Sequence, residues 1–235
     1  AMTDGEISAL TERCMDNCMK TYLPQGQAAA SRESYLSARN RQEAAAVVMD
    51  VARELRLSQF APAAEELRFA PGGPLPPIEY RAKTGSGLLT GQMDRVDTYE
   101  ADGRRYFRII DYKTGHKDFD YAELLYGKNL QMLLYLFALE SYQRRAGTPM
   151  QPAGVLYVPG RCDMVKLKPG EDPAQAGPER QKVLRRKGLL LNDEAVLHAM
   201  EAYEKKPQYL PFAPGPDGLI GDLASPAQLA ELERF

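Results

Sequence analysis

Asp102-Gly103 is the feature that most restricts how this chain folds. An Asp-Gly pair between two partly apolar, alternating runs is a strong two-residue hairpin signal, because both loop positions need positive φ. The runs on either side, Leu88–Tyr99 and Arg104–Lys113, read as strands. With Asp102 and Gly103 as the loop, Ala101 faces Arg104, and the numbers of paired residues sum to 205. Asp94 then stands opposite Asp111. Directly opposed residues on antiparallel strands share a face, with Cβ atoms roughly 5 Å apart. Two carboxylates so placed repel each other unless something cationic sits between them. Lys113 lies two residues beyond Asp111 and projects from the same face. Asp111 also ends the apolar run Phe107-Arg-Ile-Ile110. A carboxylate in such surroundings is costly unless it is paired or metal-bound. The group reads as a divalent-cation site with an attendant lysine.

The rest of the chain supplies a frame for that hairpin. Residues 5–22 and 32–57 have helical spacing, separated by the breaker Pro24-Gln-Gly26. Residues 64–70 alternate like a strand, Pro71–Pro77 is a loop, and Ile78–Lys83 is a further strand. Residues 78–113 are thus expected to form an antiparallel meander. Residues 121–144 read as one long helix, buried through Leu130 and Met132–Leu136, and Ala153–Val158 as a short apolar strand. Further on, residues 169–178 read as a polar loop, 179–187 as a charged helix and 193–203 as another helix. Residues 207–221 read as a loop, and a last helix starts at Pro226. The expected class is an α/β fold with helices packed on a central sheet. The expected division is a helical segment over 1–60, a core over 61–168 and a helical and loop extension over 169–235. The abrupt Ala-Met-Thr-Asp-Gly start and the final helix predict a piece cut from a longer protein.

Composition narrows the function classes. At 44% hydrophobic and 26% charged, the 235 residues are those of an ordinary globular protein. No apolar run approaches the roughly 20 residues that cross a membrane, and no stretch reads as a signal peptide. A net charge of −2 argues against a broad DNA-coating surface but leaves room for a narrow basic groove. Cys14, Cys18 and Cys162 are odd in number, lack C-x-x-C spacing and read as reduced thiols.

The chemistry follows from the donor atoms. Carboxylate oxygens suit a hard cation such as Mg²⁺ or Mn²⁺. Mg²⁺ usually takes one or two protein carboxylates and completes its shell with water and substrate phosphate, an arrangement that fits phosphodiester hydrolysis. Lys113 would orient the attacking water or offset developing negative charge. Gln131 and Tyr135, at i and i+4, share one helix face.

Taken together, D-R-V-D (94–97), D-Y-K-T-G (111–115) and L-Q-M-L-L-Y (130–135) resemble the PD-(D/E)xK nucleases of the RecB type. The resemblance implies a restriction-endonuclease-like core, a mixed central β-sheet flanked by helices. It makes Asp94 the first acidic motif, Asp111 and Lys113 the D-x-K motif, and Gln131 and Tyr135 the Q-x-x-x-Y motif. Asp94 and Asp111, with the carbonyl of Tyr112, would hold the metal. Gly127–Tyr135, Val155-Leu-Tyr157 and Lys187–Glu194 are similar to AddB-type nuclease domains of bacterial AddAB helicase–nucleases. That similarity covers most of 5–235 and is strongest from 88 to 200. It implies a cytoplasmic, Mg²⁺-dependent exonuclease for single-stranded DNA that works in double-strand-break repair and homologous recombination. An AddA-type partner would feed the strand.

Two features of those domains have no match here. The metal-assisting His or Glu of an upstream helix is not found. The cysteines of a 4Fe–4S cluster, expected in the full-length family member, correspond to none of Cys14, Cys18 or Cys162. The isolated chain is therefore expected to be weakly active or inactive. The rival readings are a non-catalytic DNA-end or partner-binding module of the same fold and a Cas4-like stand-alone exonuclease.

Other residues carry weaker signals. Glu66 could add a metal or water contact, though a surface role suits it better. Arg95 is expected to pair with a carboxylate, and Asp97 to face away from Asp94. His116, just past Lys113, could touch phosphate, though a solvated loop role suits it better, and His198 has no ligand partner at suitable spacing. Lys117, Lys128 and Arg185-Arg-Lys187 are candidates for a strand-binding groove, set against a solvated charged face.

Overall fold

The computed structural model describes residues 2–22, 31–115, 120, 123, 126, 128, 130–161, 181–216 and 218–234. Two helices come first, α1 (Asp4–Tyr22) and α2 (Ser31–Leu57), packed on each other. The strands β1 (Ala61–Phe69), β2 (Ile78–Ala82), β3 (Gly85–Leu89), β4 (Gly91–Ala101) and β5 (Arg104–Lys113) follow. Next come α3 (Gln131–Arg145), β6 (Gln151–Pro159), β7 (Lys187–Leu191) and α4 (Glu194–Met200). The described chain closes with β8 (Phe212–Gly215), β9 (Gly218–Gly221), β10 (Leu223–Ala224) and α5 (Pro226–Arg234).

Among the described residues the central sheet has six strands in the order β1-β4-β5-β6-β7-β10. It is mixed, as expected. Pairs β1/β4, β4/β5 and β6/β7 are antiparallel, while β5/β6 and β7/β10 are parallel. The Asp102-Gly103 loop is present, with φ +51 and +73, the signature its sequence carries. The register runs from Ala101↔Arg104 to Arg95↔Ile110, so paired numbers sum to 205 as expected. Strand β5 is buried at every position from Tyr106 through Asp111, so both of its faces are covered. Helix α3 packs on β5 and β6. It buries Met132, Leu133, Tyr135, Leu136 and Leu139. Asp193 caps α4 by accepting the Val196 N–H.

Several expectations needed correction. Residues 78–113 are not one meander. β2 and β3 pair with each other in a separate ribbon, and β4 takes β1 as its second neighbour, from Ala61↔Thr98 to Phe69↔Gly91. The long strand expected over 88–99 is therefore divided between two sheets at Thr90. Local alternation could not show this, because either half pairs equally well with a nearby partner. The helix expected over 121–144 is broken: Glu123 is helical, Tyr126, Lys128 and Leu130 are not, and the continuous helix runs over Gln131–Arg145. Before it, the N–H groups of Tyr126 and Lys128 both turn back to the Glu123 carbonyl. The loop expected over 207–221 contains the β8/β9 hairpin. Strands β7 and β10, from the stretch read as an extension, extend the central sheet. The loop expected over 169–178 lies outside the described residues.

Under one face of the sheet lies a buried ionic layer. Arg108, Asp97, Glu54 and Arg186 all have 0% exposure. Arg108 Nε donates to Asp97 Oδ2 at 3.0 Å, and Arg186 Nη2 donates to Glu54 Oε2 at 2.7 Å. Arg186 also bonds Asp50, and Arg108 lies 3.5 Å from Glu54 Oε1. These contacts bolt α2, which supplies Asp50 and Glu54, to the sheet. Isolated charges could not be buried here; each arginine is matched by a carboxylate. Burial tends to raise the Glu54 carboxyl, but Arg186 and Arg108 outweigh it and hold it below its ordinary value. Arg186 is thus a structural residue and not a groove residue, which corrects one of the strand-binding candidates.

Candidate functional site

The site grows from the open end of the β4/β5 hairpin. One step beyond Arg95↔Ile110 stand Asp94 and Asp111. There the Asp94 carboxylate accepts the Tyr112 N–H at 2.8 Å, tying the two strands together by a side chain. Asp111 is buried, at 4% exposure. Lys113 Nζ lies 2.6 Å from Asp111 Oδ2. Asp94, Asp111, Tyr112 and Lys113 are therefore gathered in one place.

The residues of opposite parity turn to the ionic layer. Arg95 forms an ion pair with Asp97, Nε to Oδ1 at 2.8 Å, as its sequence context predicted. Its Nη1 donates to the Tyr112 hydroxyl at 2.6 Å. Burial raises the Tyr112 phenol, and the neighbouring Arg95 charge offsets part of that rise. Tyr112 is thereby held twice, through its N–H by Asp94 and through its hydroxyl by Arg95.

Gln131 and Tyr135 also come together. Gln131 Nε2 donates to the Tyr135 hydroxyl at 2.8 Å. The Tyr135 ring meets Phe69 edge-on with centroids 4.9 Å apart. Its hydroxyl covers Gly91, where an added Cβ would lie 2.7 Å from the oxygen. The pair therefore stands over β4 three residues before Asp94. Neither side chain bonds directly to Asp94, Asp111 or Lys113 among the described contacts.

Glu66 takes φ +51, a strained conformation for a residue with a side chain. The register Leu67↔Met93 and Glu65↔Arg95 brackets it against Asp94. His116, Lys117 and Cys162 lie outside the described residues. His198 stacks on Tyr203, with centroids 4.1 Å apart, and Cys14 and Cys18 are free thiols. Among the described residues no helix is long and apolar enough to cross a membrane.

Two residues near the site were not picked out from sequence. Tyr157, on β6, is the direct register partner of Asp111. Burial, then the charges of Asp111 and Glu123, push its phenol up to about 12. The proximity of Glu123 places a further carboxylate at this end of the sheet. The only sequence signal for Tyr157 was its place in the apolar run Val155–Val158, which reads as core.

The donor set fits a hard divalent cation. Asp94 and Asp111 offer carboxylate oxygens, and the Tyr112 carbonyl lies between Asp111 and Lys113 in the chain. Among the described residues no three His, Cys, Asp or Glu side chains cluster as a metal cage. Two carboxylates suit a cation that keeps water and substrate oxygens in its shell.

Comparison with known proteins identifies the family of the chain. Residues 2–216 match the family model of the PD-(D/E)XK nuclease superfamily. Curated relatives are the B-type subunits of bacterial ATP-dependent helicase/deoxyribonucleases. The chain is 32% identical over 222 residues to that of Acetivibrio thermocellus, covering 93% of this chain and 19% of that protein. It is 35% identical over 193 residues to that of Clostridium acetobutylicum, covering 81% of this chain and 17% of that protein. Over 237 residues it is 29% identical to that of Geobacillus thermodenitrificans, covering 100% of this chain and 20% of that protein. The chain spans about a fifth of the length of these relatives.

Proposed function

Since the chain belongs to the PD-(D/E)XK nuclease superfamily, we propose that it hydrolyses phosphodiester bonds of single-stranded DNA with the help of Mg²⁺ or Mn²⁺. The observation that carries this reading is the Asp94–Tyr112–Asp111–Lys113 arrangement. Two carboxylates and an ammonium converge on one end of a hairpin whose strands are locked by the Asp94 contact to the Tyr112 N–H. Asp94 and Asp111, with the Tyr112 carbonyl, hold the cation. When bound, it polarises a phosphoryl oxygen and acidifies a water molecule. Lys113 orients that water and offsets the charge that develops on the phosphate. Gln131 and Tyr135, fixed to each other over β4, orient the strand or Lys113.

The relatives' names support a place in a helicase–nuclease, where DNA ends are processed in the cytoplasm during repair and recombination. An AddA-type partner would deliver the strand, and any 4Fe–4S cluster would be held by residues other than Cys14, Cys18 and Cys162. The same names favour this reading over a stand-alone exonuclease.

The test is cleavage of single-stranded DNA by the full-length protein, wild type against Asp111→Ala, alongside calorimetric titration of Mg²⁺. Loss of both cleavage and cation binding is expected. Unchanged cleavage by this protein in Asp111→Ala would sink the assignment.

A further inference from the structure

The row of residues that begins at Asp94 does not stop at Asp111. Across the parallel β5/β6 pair, Asp111 is partnered by Tyr157. Across the antiparallel β6/β7 pair, Tyr157 is partnered by Lys187. Direct partners share a face of the sheet, so four strands carry Asp94, Asp111, Tyr157 and Lys187 side by side. The parallel ends of β5 and β6 also come together here, through Lys113↔Pro159.

A cavity of about 80 Å³ opens beside this row, lined by Lys113, Thr114, Tyr157, Arg161, Arg185 and Lys187. It is far smaller than the roughly 300 Å³ at which pockets for organic ligands begin, and its lining is cationic. Tyr157, only 4% exposed, contributes to the wall of this cavity. Arg185 is fixed by neutral acceptors. Its Nε donates to the Leu210 carbonyl at 2.9 Å and its Nη2 to the Phe212 carbonyl at 2.5 Å. No described carboxylate cancels its charge. Arg161 pairs with Glu43 at 3.3 Å, and Lys113 pairs with Asp111. A phosphate-sized cavity lined by a tyrosine and four basic side chains, one of them an arginine fixed by two carbonyls, is the chemistry of an oxyanion receptor.

We propose that this cavity binds a backbone phosphate of the nucleic-acid strand, the one adjoining the phosphate presented to Asp94, Asp111 and Lys113. It rests on the nuclease reading for the direction of the strand, since Lys113 borders both sites. Tyr157 is the neutral donor and Arg185 the fixed charge. The subsite sets which phosphodiester reaches the carboxylates, by gripping its neighbour.

The experiment uses the full-length protein in EDTA, so that binding is read without cleavage. Anisotropy measures the affinity for single-stranded oligonucleotides carrying one neutral methylphosphonate at each position in turn. In the wild type, one position should weaken binding by about tenfold, the loss of one good charge-assisted contact. In Tyr157→Phe and in Arg185→Gln that position should lose its effect. Arg185→Gln should also lower the salt dependence by about one phosphate contact. Arg185→Gln loosens the Leu210 and Phe212 carbonyls, so the near-isosteric Tyr157→Phe carries the test if Arg185→Gln melts early. Variants as sensitive as the wild type at every position would overturn the proposal. Binding of inorganic phosphate by the wild type, with no linkage mattering, would assign the cavity to the free anion and overturn it equally. Failure of the hydrolytic reading would appear instead in the Asp111→Ala cleavage assay, which this binding measurement does not touch.

Discussion

Arg95 Nη1 donates a 2.6 Å hydrogen bond to the Tyr112 hydroxyl. The residue before Arg95 accepts the N–H of the same tyrosine at 2.8 Å. Tyr112 lies between Asp111 and Lys113, so the contact couples the ionic layer on one face of the sheet to the proposed cation site on the other. Tyr112→Phe removes the acceptor and leaves an arginine donor unmatched. The expected cost is about 1–2 kcal/mol of stability in urea unfolding. A fall in Mg²⁺ affinity of about tenfold or more, measured by calorimetry, should accompany it, as when groups that orient metal ligands are lost. Unchanged affinity would show that the tyrosine does not position the carboxylates.

Lys113→Gln tests the charge beside Asp111. The ammonium stands 2.6 Å from the carboxylate, where it can face a reacting phosphate. Loss of one such stabilising group typically lowers kcat by about 10²–10³-fold. Single-turnover cleavage in the full-length protein should show that drop. A variant within threefold of wild type would remove Lys113 from the chemistry.

Gly91→Ala probes the Gln131–Tyr135 pair without touching either residue. An added Cβ would lie 2.6 Å from the Phe69 ring and 2.7 Å from the Tyr135 hydroxyl. Overpacking of this kind costs about 1–3 kcal/mol. Removing the hydroxyl in Gly91→Ala/Tyr135→Phe should return part of that loss, and thermal melts of the single and double variants would show it. If Tyr135 orients the strand, KM should rise in the single variant.

Glu54 gives the protein an acid-sensitive joint. Arg186 and Arg108 overcome the effect of burial and hold its carboxyl below the ordinary 4.5. A depressed carboxyl stabilises the fold above its unfolded pKa and loses that contribution as pH falls through the folded one. Glu54→Gln should therefore be about 3–5 kcal/mol less stable than wild type at neutral pH. The difference should shrink as pH drops below 4.5. Asp50, which burial pushes upward, is raised further by the Glu54 charge, so the comparison is made in an Asp50→Asn background, where only Glu54 differs. Denaturant melts from pH 7 to pH 3 would decide it, and a pH-independent gap would contradict the electrostatic account.

Much of the proposed site could be read from local signals. Asp102-Gly103 sets the turn, the turn sets the register, and the register brings Asp94 to Asp111 with Lys113 on the same face. Period-2 and i, i+4 geometry act over a few residues, so the chain encodes them locally. The Gln131–Tyr135 contact was legible for the same reason.

The surroundings of that site depend on residues far apart in the chain. β4 leaves β3 for β1 because the central sheet buries more of it than a local ribbon would. Arg186 turns inward because Glu54 and Asp50, more than 130 residues earlier, meet it with matching charge. Tyr157 becomes a neighbour of Asp111 only through a parallel crossover, and no short-range pattern specifies the register of a strand separated from its partner by a whole helix. Short-range pattern was enough for the turn, the acidic pair and the lysine. Their setting came from the folded chain, through long-range burial and charge pairing.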